Sequence, residues 1–302
     1  MAVNGFPRGV PPRLDPGAGL TERLVELPGG RRLRAVVAGD APGPLVVFEA
    51  GMSAPAAEWV HTQRQISERA RTLSYDRAGY GGSDDADDDR SLDHLAGDLA
   101  ALLDALGETE PVVLVGHSWG GPILRTFAHH HPRRVAGLVF VDATLAEVMS
   151  PALARVVAAS FRLHAGLARI GATRLIERAT LPQGFSPDIS AEDRAILLRD
   201  HACVRAMRAG RREARQIVPS LPLLRRLQAA GTPDVPTVCL QAGRLDRGTA
   251  KVRPLFNRTA AELMAAVPRG DVIVVEGIGH AIPQEHPNAV RDAIVDLLAV
   301  LE

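Results

Sequence analysis

The ten residues VVLVGHSWGG, residues 112–121, decide how this chain folds. A short apolar run closed by glycine reads as a strand buried on both faces of a sheet. The residues after it, 119–130, have helical spacing. Between strand and helix stands Ser118, within Gly116-His117-Ser118-Trp119-Gly120. G-x-S-x-G at a strand–turn–helix junction makes a sharp turn and strains the serine so that its Oγ projects above the sheet. Side chains at the flanking positions would meet neighbouring backbone, which suits glycine. The following helix aims its N-terminus, with free N–H groups and partial positive charge, at the serine. Ser118 is therefore the candidate nucleophile.

Working outward, the same alternation continues on both sides. "TERLVEL" (21–27) and "RRLRAVVA" (31–38), separated by "PGG", read as two strands joined by a tight turn. "LVVFEA" (45–50) and "RTLSYD" (71–76) read as strands, with helical spacing over 59–69 between them. Residues 91–107 put Leu92, Leu95, Leu99, Leu102, Leu103 and Leu106 on one helical face, with Ser91 as N-cap and Gly107 as stop. "VAGLVFVD" (135–142) is a strand again. Alternating strands and helices imply a parallel sheet covered on both faces. The alternation stops over 145–232, which reads as successive helices broken at Gly171, at 182–187, and at Pro219 and Pro222. It resumes with "TVCLQA" (237–242), a helix over 257–267, "DVIVVE" (271–276) and a helix over 288–301. The fold class is α/β: a mostly parallel eight-stranded sheet with helices on both faces. Residues 20–144 and 233–302 form one core domain, with a helical cap, 145–232, inserted in it. Residues 1–19, rich in Pro, Gly and Arg, read as a loose leader.

Composition narrows the function classes. Of 302 residues, 46% are hydrophobic and 23% charged, as in soluble globular proteins. Basic and acidic residues balance at 35 each, which argues against nucleic acid or an anionic membrane as the main partner. Two cysteines, Cys203 and Cys239, make neither a disulfide framework nor a metal site. No signal-peptide apolar region and no run of about 18 apolar residues stands in the sequence, so a cytoplasmic protein is expected. The run His129-His130-His131 reads as exposed, because three consecutive helical residues do not face one ion. Neither metal nor cofactor is expected.

A serine hydroxyl needs a base. Among ten histidines, His280 in "DVIVVEGIGHAIPQEHP" alone follows a late strand with glycines before it. His286, in the next turn, reads as structural. The histidine needs a carboxylate to fix its tautomer. Asp246, in the loop after "TVCLQA", is preferred, because its strand delivers it just ahead of His280. Asp142, closing "VAGLVFVD", is the alternative acid, since ligand sites form at strand carboxyl ends. Its other reading is structural support or pocket wall. The backbone N–H groups of Trp119 and Met52 are the candidate oxyanion-hole donors, with Gly51 allowing the turn.

Four motifs, "GHSWGG", "YDRAGYGGSD" (75–84), "LQAGRLD" and "GIGHAIPQEHP", together resemble those of α/β-hydrolase fold enzymes with a helical cap. The resemblance runs from about residue 20 to the end of the sequence. The second motif is similar to the family's D-x-R-G-x-G-x-S loop, in which Asp76 and Arg77 would support strand ends. One departure is "EAGM", residues 49–52, where the family often has His-Gly; Ala50 stands for the histidine and Glu49 is placed to pair with Arg77. Haloalkane dehalogenases and epoxide hydrolases of this fold carry aspartate as nucleophile. A serine implies an acyl-enzyme route, and the expected function is hydrolysis of a small carboxylic ester or lactone. Proline iminopeptidase-like enzymes share the Trp after the nucleophile but have a His-Gly-Gly-Pro-Gly loop that "EAGMSAP" lacks, so amide cleavage ranks second. Lyases, perhydrolases and non-catalytic binding proteins of this fold can carry the same triad.

The cap holds 14 Arg, no Lys and seven acidic residues. Arg205, Arg208, Arg212 and Arg215 share a helical face. That face either attracts an anionic substrate or docks on the acidic core; the second reading is favoured. Val156, Val157, Leu163, Leu167 and Ile170 either line a substrate pocket or fill the cap's own core, the latter being favoured.

Overall fold

The apolar runs become one eight-stranded sheet in a computed structural model that describes residues 19–302 apart from 147, 183 and 246–249. The strands are β1 (Thr21–Glu26), β2 (Arg32–Ala38), β3 (Val46–Glu49), β4 (Thr72–Tyr75), β5 (Val112–His117), β6 (Val135–Val141), β7 (Thr237–Ala242) and β8 (Gly270–Val275). Their order is β1-β2-β4-β3-β5-β6-β7-β8. Only β1 with β2 and β2 with β4 run antiparallel. The parallel strands β3, β4 and β5 are buried at every position, which is why they read as unbroken apolar runs.

Successive residues of these strands face opposite layers. Val47, Leu73 and Leu114 pack against Leu99, Leu102 and Phe127, from α2 (Leu92–Ala105) and α3 (Gly120–His130). Val46, Val113 and Val139 pack against Ile66 of α1 (Val60–Ile66) and Ile294 and Leu297 of α11 (Pro287–Leu301). Ser91 caps α2 by accepting from the His94 N–H, and Gly107 follows its end with φ +74°. β5 thus lies at mid-sheet, and its carboxyl end is where the sequence puts Ser118.

Between β6 and β7 come α4 (Pro151–Arg169), α5 (Thr173–Thr180), α6 (Ala191–His201), α7 (Val204–Arg215) and α8 (Ile217–Ala230), with no strand among the described residues there. Pro219 and Pro222 do not break the chain as expected: α8 runs through both. Pro219 stands in the first turn, where its missing N–H has no helical partner to lose. Pro222 is interior, and the buried Leu221, Leu224 and Leu227 hold that stretch helical. α9 (Arg253–Ala265) begins four residues earlier than the expected start at 257, with Pro254 in its first turn. α10 (Ile282–Glu285) completes the helices.

The arginine face of α7 docks in part, through Arg205 and Arg212, while Arg208 and Arg215 are exposed. Arg205 donates to the carbonyls of Gly81 (2.7 Å) and Ser83, and Arg212 to those of Ala86 (2.5 Å) and Asp88. These cations clamp the acidic loop of the core. The apolar residues of α4 follow neither expectation as a set: Val156, Leu163 and Ile170 are exposed, Leu167 packs on a small cluster, and Val157 lines a cavity. The reason is that α4 covers the fold with one stripe only, and these three fall on its outer side. No described helix is long and apolar enough to cross a membrane. The expected leader lies outside the described residues up to residue 18.

Candidate active site

Ser118 takes φ +52°, a left-handed conformation that a serine adopts at a cost. Its N–H donates to Val141 O (3.1 Å), and its carbonyl accepts from the Thr144 N–H (2.9 Å). The turn needs glycine: a Cβ on Gly120 would sit 2.4 Å from Glu49 O, and one on Gly116 would sit 2.7 Å from Leu124. Close packing of the helix start on β3 and β5 thus forces the serine outward.

His280, in the loop after β8, places Nε2 3.0 Å from Ser118 Oγ. Its Nδ1 lies 2.6 Å from Asp142 Oδ2. A carboxylate only accepts, so the Nδ1 proton is fixed and Nε2 is left to accept from the serine hydroxyl. Asp142, at the end of β6, is fully buried with φ +41°. Arg253 forks onto it, Nη1 to Oδ1 at 2.5 Å and Nη2 to Oδ2 at 2.8 Å, and the Ala242 N–H donates to Oδ1 at 3.1 Å. Burial works to raise the Asp142 pKa, but His280 and Arg253 outweigh it and hold the carboxyl below the usual range. Of the two carboxylates weighed from sequence, Asp142 is the one on His280; Asp246 lies outside the described residues. Arg253 gave no sequence signal of its own. His286 caps α11, accepting from the Ala289 N–H (3.2 Å).

The loop after β3 faces the serine. The Gly51 N–H donates to Glu58 Oε2 (3.0 Å), and the Ser53 N–H to the Tyr80 hydroxyl (3.2 Å). Between them, the Met52 N–H makes no hydrogen bond among the described residues, and neither does the Trp119 N–H. Both residues line the cavity over Ser118.

A buried network, of which the sequence reading gave only the Arg77–Glu49 pair, supports this loop. Arg77 pairs with Glu49 (2.6 Å), as its placement suggested, and with both oxygens of Glu213 on α7 (2.8 Å each). It also donates to the carbonyls of Ala50 (2.6 Å) and Gly51 (2.8 Å). His117, beside the nucleophile, faces two acceptors, Glu58 Oε1 (2.9 Å) and His280 O (3.0 Å). Burial acts against its charge, but Glu58 outweighs burial and raises its pKa. With acceptors at both ring nitrogens, its surroundings favour the protonated ring.

His201, closing α6, donates from Nδ1 to Ser53 O (3.0 Å) and meets Thr180 Oγ1 with Nε2 (2.7 Å). Burial pushes its pKa down to about 4, against the Ser53 carbonyl and the distant Glu58. The unfolded chain, with a value of 6.5, takes up this proton first as the pH falls. The gap between the two values is worth about 3 kcal/mol, so stability drops by that order from pH 6.5 to 4. His201→Asn is expected to be less stable at neutral pH yet to lose less on acidification. Urea unfolding across that range checks this, and an unchanged acid slope would refute it.

The cavity above Ser118 measures about 440 Å³. Its wall is mainly apolar, from Met149, Leu153, Val157, Phe161, Leu181 and Ile217 of the inserted segment. Among the described residues, Asp88, Asp89 and His94 are the only group with metal-ligating atoms close enough for one ion, and Asp88 already pairs with Arg31 and Arg90.

A family model described as the alpha/beta hydrolase family matches residues 46–293. The polyketide synthase ThaQ of Burkholderia thailandensis is 30% identical over 94% of this chain and 13% of its own length. The curated relatives it matches here are each spanned over less than half their length. Among solved structures, epoxide hydrolase A of Mycobacterium thermoresistibile is 25% identical, covering 94% of this chain and 99% of that one with a TM-score of 0.75. A thermophilic esterase from Thermogutta terrifontis is 22% identical, covering 93% and 99% with a TM-score of 0.70, a likeness of fold.

Proposed function

The chain belongs to the alpha/beta hydrolase family, and on that premise we propose that it is a serine hydrolase of carboxylic esters or lactones. The observation that carries this reading is the line Ser118 Oγ–His280–Asp142, with contacts of 3.0 and 2.6 Å. His280 takes the serine proton as Oγ attacks the carbonyl carbon. The oxyanion is met by the Met52 and Trp119 N–H groups, the two donors left open beside the serine. His280 returns the proton to the leaving alcohol, and water then releases the acid by the same steps in reverse. Asp142 is the acid of this triad, in place of Asp246.

Similarity to epoxide hydrolases does not carry their reaction here, because a serine stands where those enzymes place an aspartate. An aminopeptidase reading finds less support. An α-ammonium needs a free carboxylate, yet Glu58 and Asp142, the carboxylates among the described cavity residues, are both engaged. Nor do the described residues favour an anion: Arg253, the one arginine among them that lines the cavity, is spent on Asp142, and Arg205 and Arg212 of α7 hold the core loop.

The test is a panel of p-nitrophenyl esters, a lactone and aminoacyl anilides, with a fluorophosphonate as trap. Ester or lactone turnover and a mass increment on the Ser118 peptide are expected. Anilide cleavage alone, or no adduct on a folded protein, would overturn the proposal.

A further inference from the structure

Among the described residues, the polar side chains that the inserted segment brings to the cavity are hydrogen-bonded within the protein, with one exception. Ser160 Oγ donates to Val157 O (2.7 Å). Thr180 Oγ1 meets Ile176 O (2.8 Å) and His201 Nε2 (2.7 Å), and His201 Nδ1 is on Ser53 O. Trp119 Nε1 is unpaired, but its indole is packed among Leu92, Leu95 and Ile123.

His164, on α4, is the exception. It lines the cavity at 9% exposure, edge-on to Phe161 with ring centroids 6.1 Å apart. Nδ1 is sealed off with no hydrogen-bond partner. Nε2 makes no hydrogen bond among the described residues either, and it is the ring nitrogen left open. Burial alone lowers the pKa, so the ring is neutral. A buried imidazole without a partner costs the fold its lost hydration. An unmet lone pair costs less than an unmet N–H. The proton therefore rests on Nε2, and His164 presents a donor to the cavity.

We propose that this cavity binds esters or lactones with an apolar body carrying one neutral acceptor oxygen, a ketone or ether remote from the scissile carbonyl, held by His164 Nε2. This rests on the ester reading of Ser118. The apolar wall takes the hydrocarbon, and the donor fixes its register over the serine. A carboxylate is disfavoured there, because no free cation among the described lining residues would meet a buried charge. Nor would a plain alkyl chain satisfy the histidine.

Binding to the Ser118→Ala protein tests this by calorimetry. The ligands are p-nitrophenyl octanoate, its oxo-octanoates with the ketone moved along the chain, and the suberate half-ester. The best oxo-ester is expected to bind about 10-fold tighter than octanoate. Adding His164→Leu should erase that preference, since the oxo-ester loses its donor and octanoate no longer buries an unmet one, while His164→Gln, which keeps a donor, should retain part of it. Nitrogen NMR of the histidines gives a second readout without a new variant: the His164 Nε2 signal should move with the oxo-ester and not with octanoate. No preference for any oxo-ester, a preference that survives His164→Leu, or tightest binding of the half-ester would overturn the proposal. Because binding is read without turnover, a wild type that hydrolyses no ester would remove the hydrolase reading alone.

Discussion

Asp142→Asn is expected to lower kcat about 10⁴-fold, and Ser118→Ala about 10⁶-fold, with Asp246→Asn changing kcat by no more than about threefold. The amide of asparagine offers a donor where His280 Nδ1 needs an acceptor. The ring would then carry its proton on Nε2, the wrong nitrogen to accept from Ser118, whose Oγ lies 3.0 Å away. The same substitution leaves the Arg253 guanidinium facing an amide in a buried setting, so some stability is lost as well. Thermal unfolding separates the two effects: a folded Asp142→Asn protein with intact fluorophosphonate-site geometry but lost kcat carries the assignment. The wild-type Asp142 carboxyl, held below its usual range, stays ionised through the neutral pH range, so it adds no limb to the kcat profile there. A severe loss in Asp246→Asn with a mild one in Asp142→Asn would return the acid to Asp246.

The contrast between those two aspartates marks how far sequence carried. Ser118 and His280 stood out because one adjoins a strand and the other lies in the short loop after one, and strand ends at the sheet's carboxyl edge define where a site forms. Both aspartates satisfied that rule; chain order favoured Asp246, which lies outside the described residues, and Asp142 is the one found on His280. What singles out Asp142 in space is Arg253, 111 residues away in sequence, together with the His280 contact. The helix bearing Arg253 also began earlier than its apolar spacing indicated, since Pro254 starts it. The alternation of strands and helices along the chain and the helical insertion followed from periodicity, and the docking of Arg205 and Arg212, though not of Arg208 and Arg215, from charge. Glu58, Glu213 and His164 gave no local signal, because their roles depend on partners brought in by tertiary packing. Glu213 meets Arg77 across 136 residues, and its neighbours in α7 are arginines and alanines typical of a surface helix. The helical spacing that placed four arginines together did not reveal that the remaining face buries a carboxylate.

That carboxylate has the second large expected effect. Glu213→Gln should destabilise the protein by about 3 kcal/mol, at the lower end for breaking a buried pair because Glu49 still faces the guanidinium. Burial opposes the charge on Arg77, and Glu213, then Glu49, more than compensate, keeping it charged. All five guanidinium N–H groups are used: two on Glu213, one on Glu49, and one each on the carbonyls of Ala50 and Gly51. Those carbonyls immediately precede Met52, so Glu213 reaches the proposed oxyanion loop through Arg77 and would act as a positioning residue. Loosening Arg77 lets the Met52 N–H drift from where charge develops in the transition state, which lowers kcat by about 10-fold with little change in KM. Arg205→Gln is the control. It sits on the same helix and docks the same segment, but its side chain is partly exposed and touches only the loop at Gly81 to Asp85, so it should cost under about 1 kcal/mol and leave kcat unchanged. If both variants lower kcat alike, the effect belongs to docking of the helical segment as a whole. If Glu213→Gln alone does so, the loop is held in its working shape from the cap side, through one arginine.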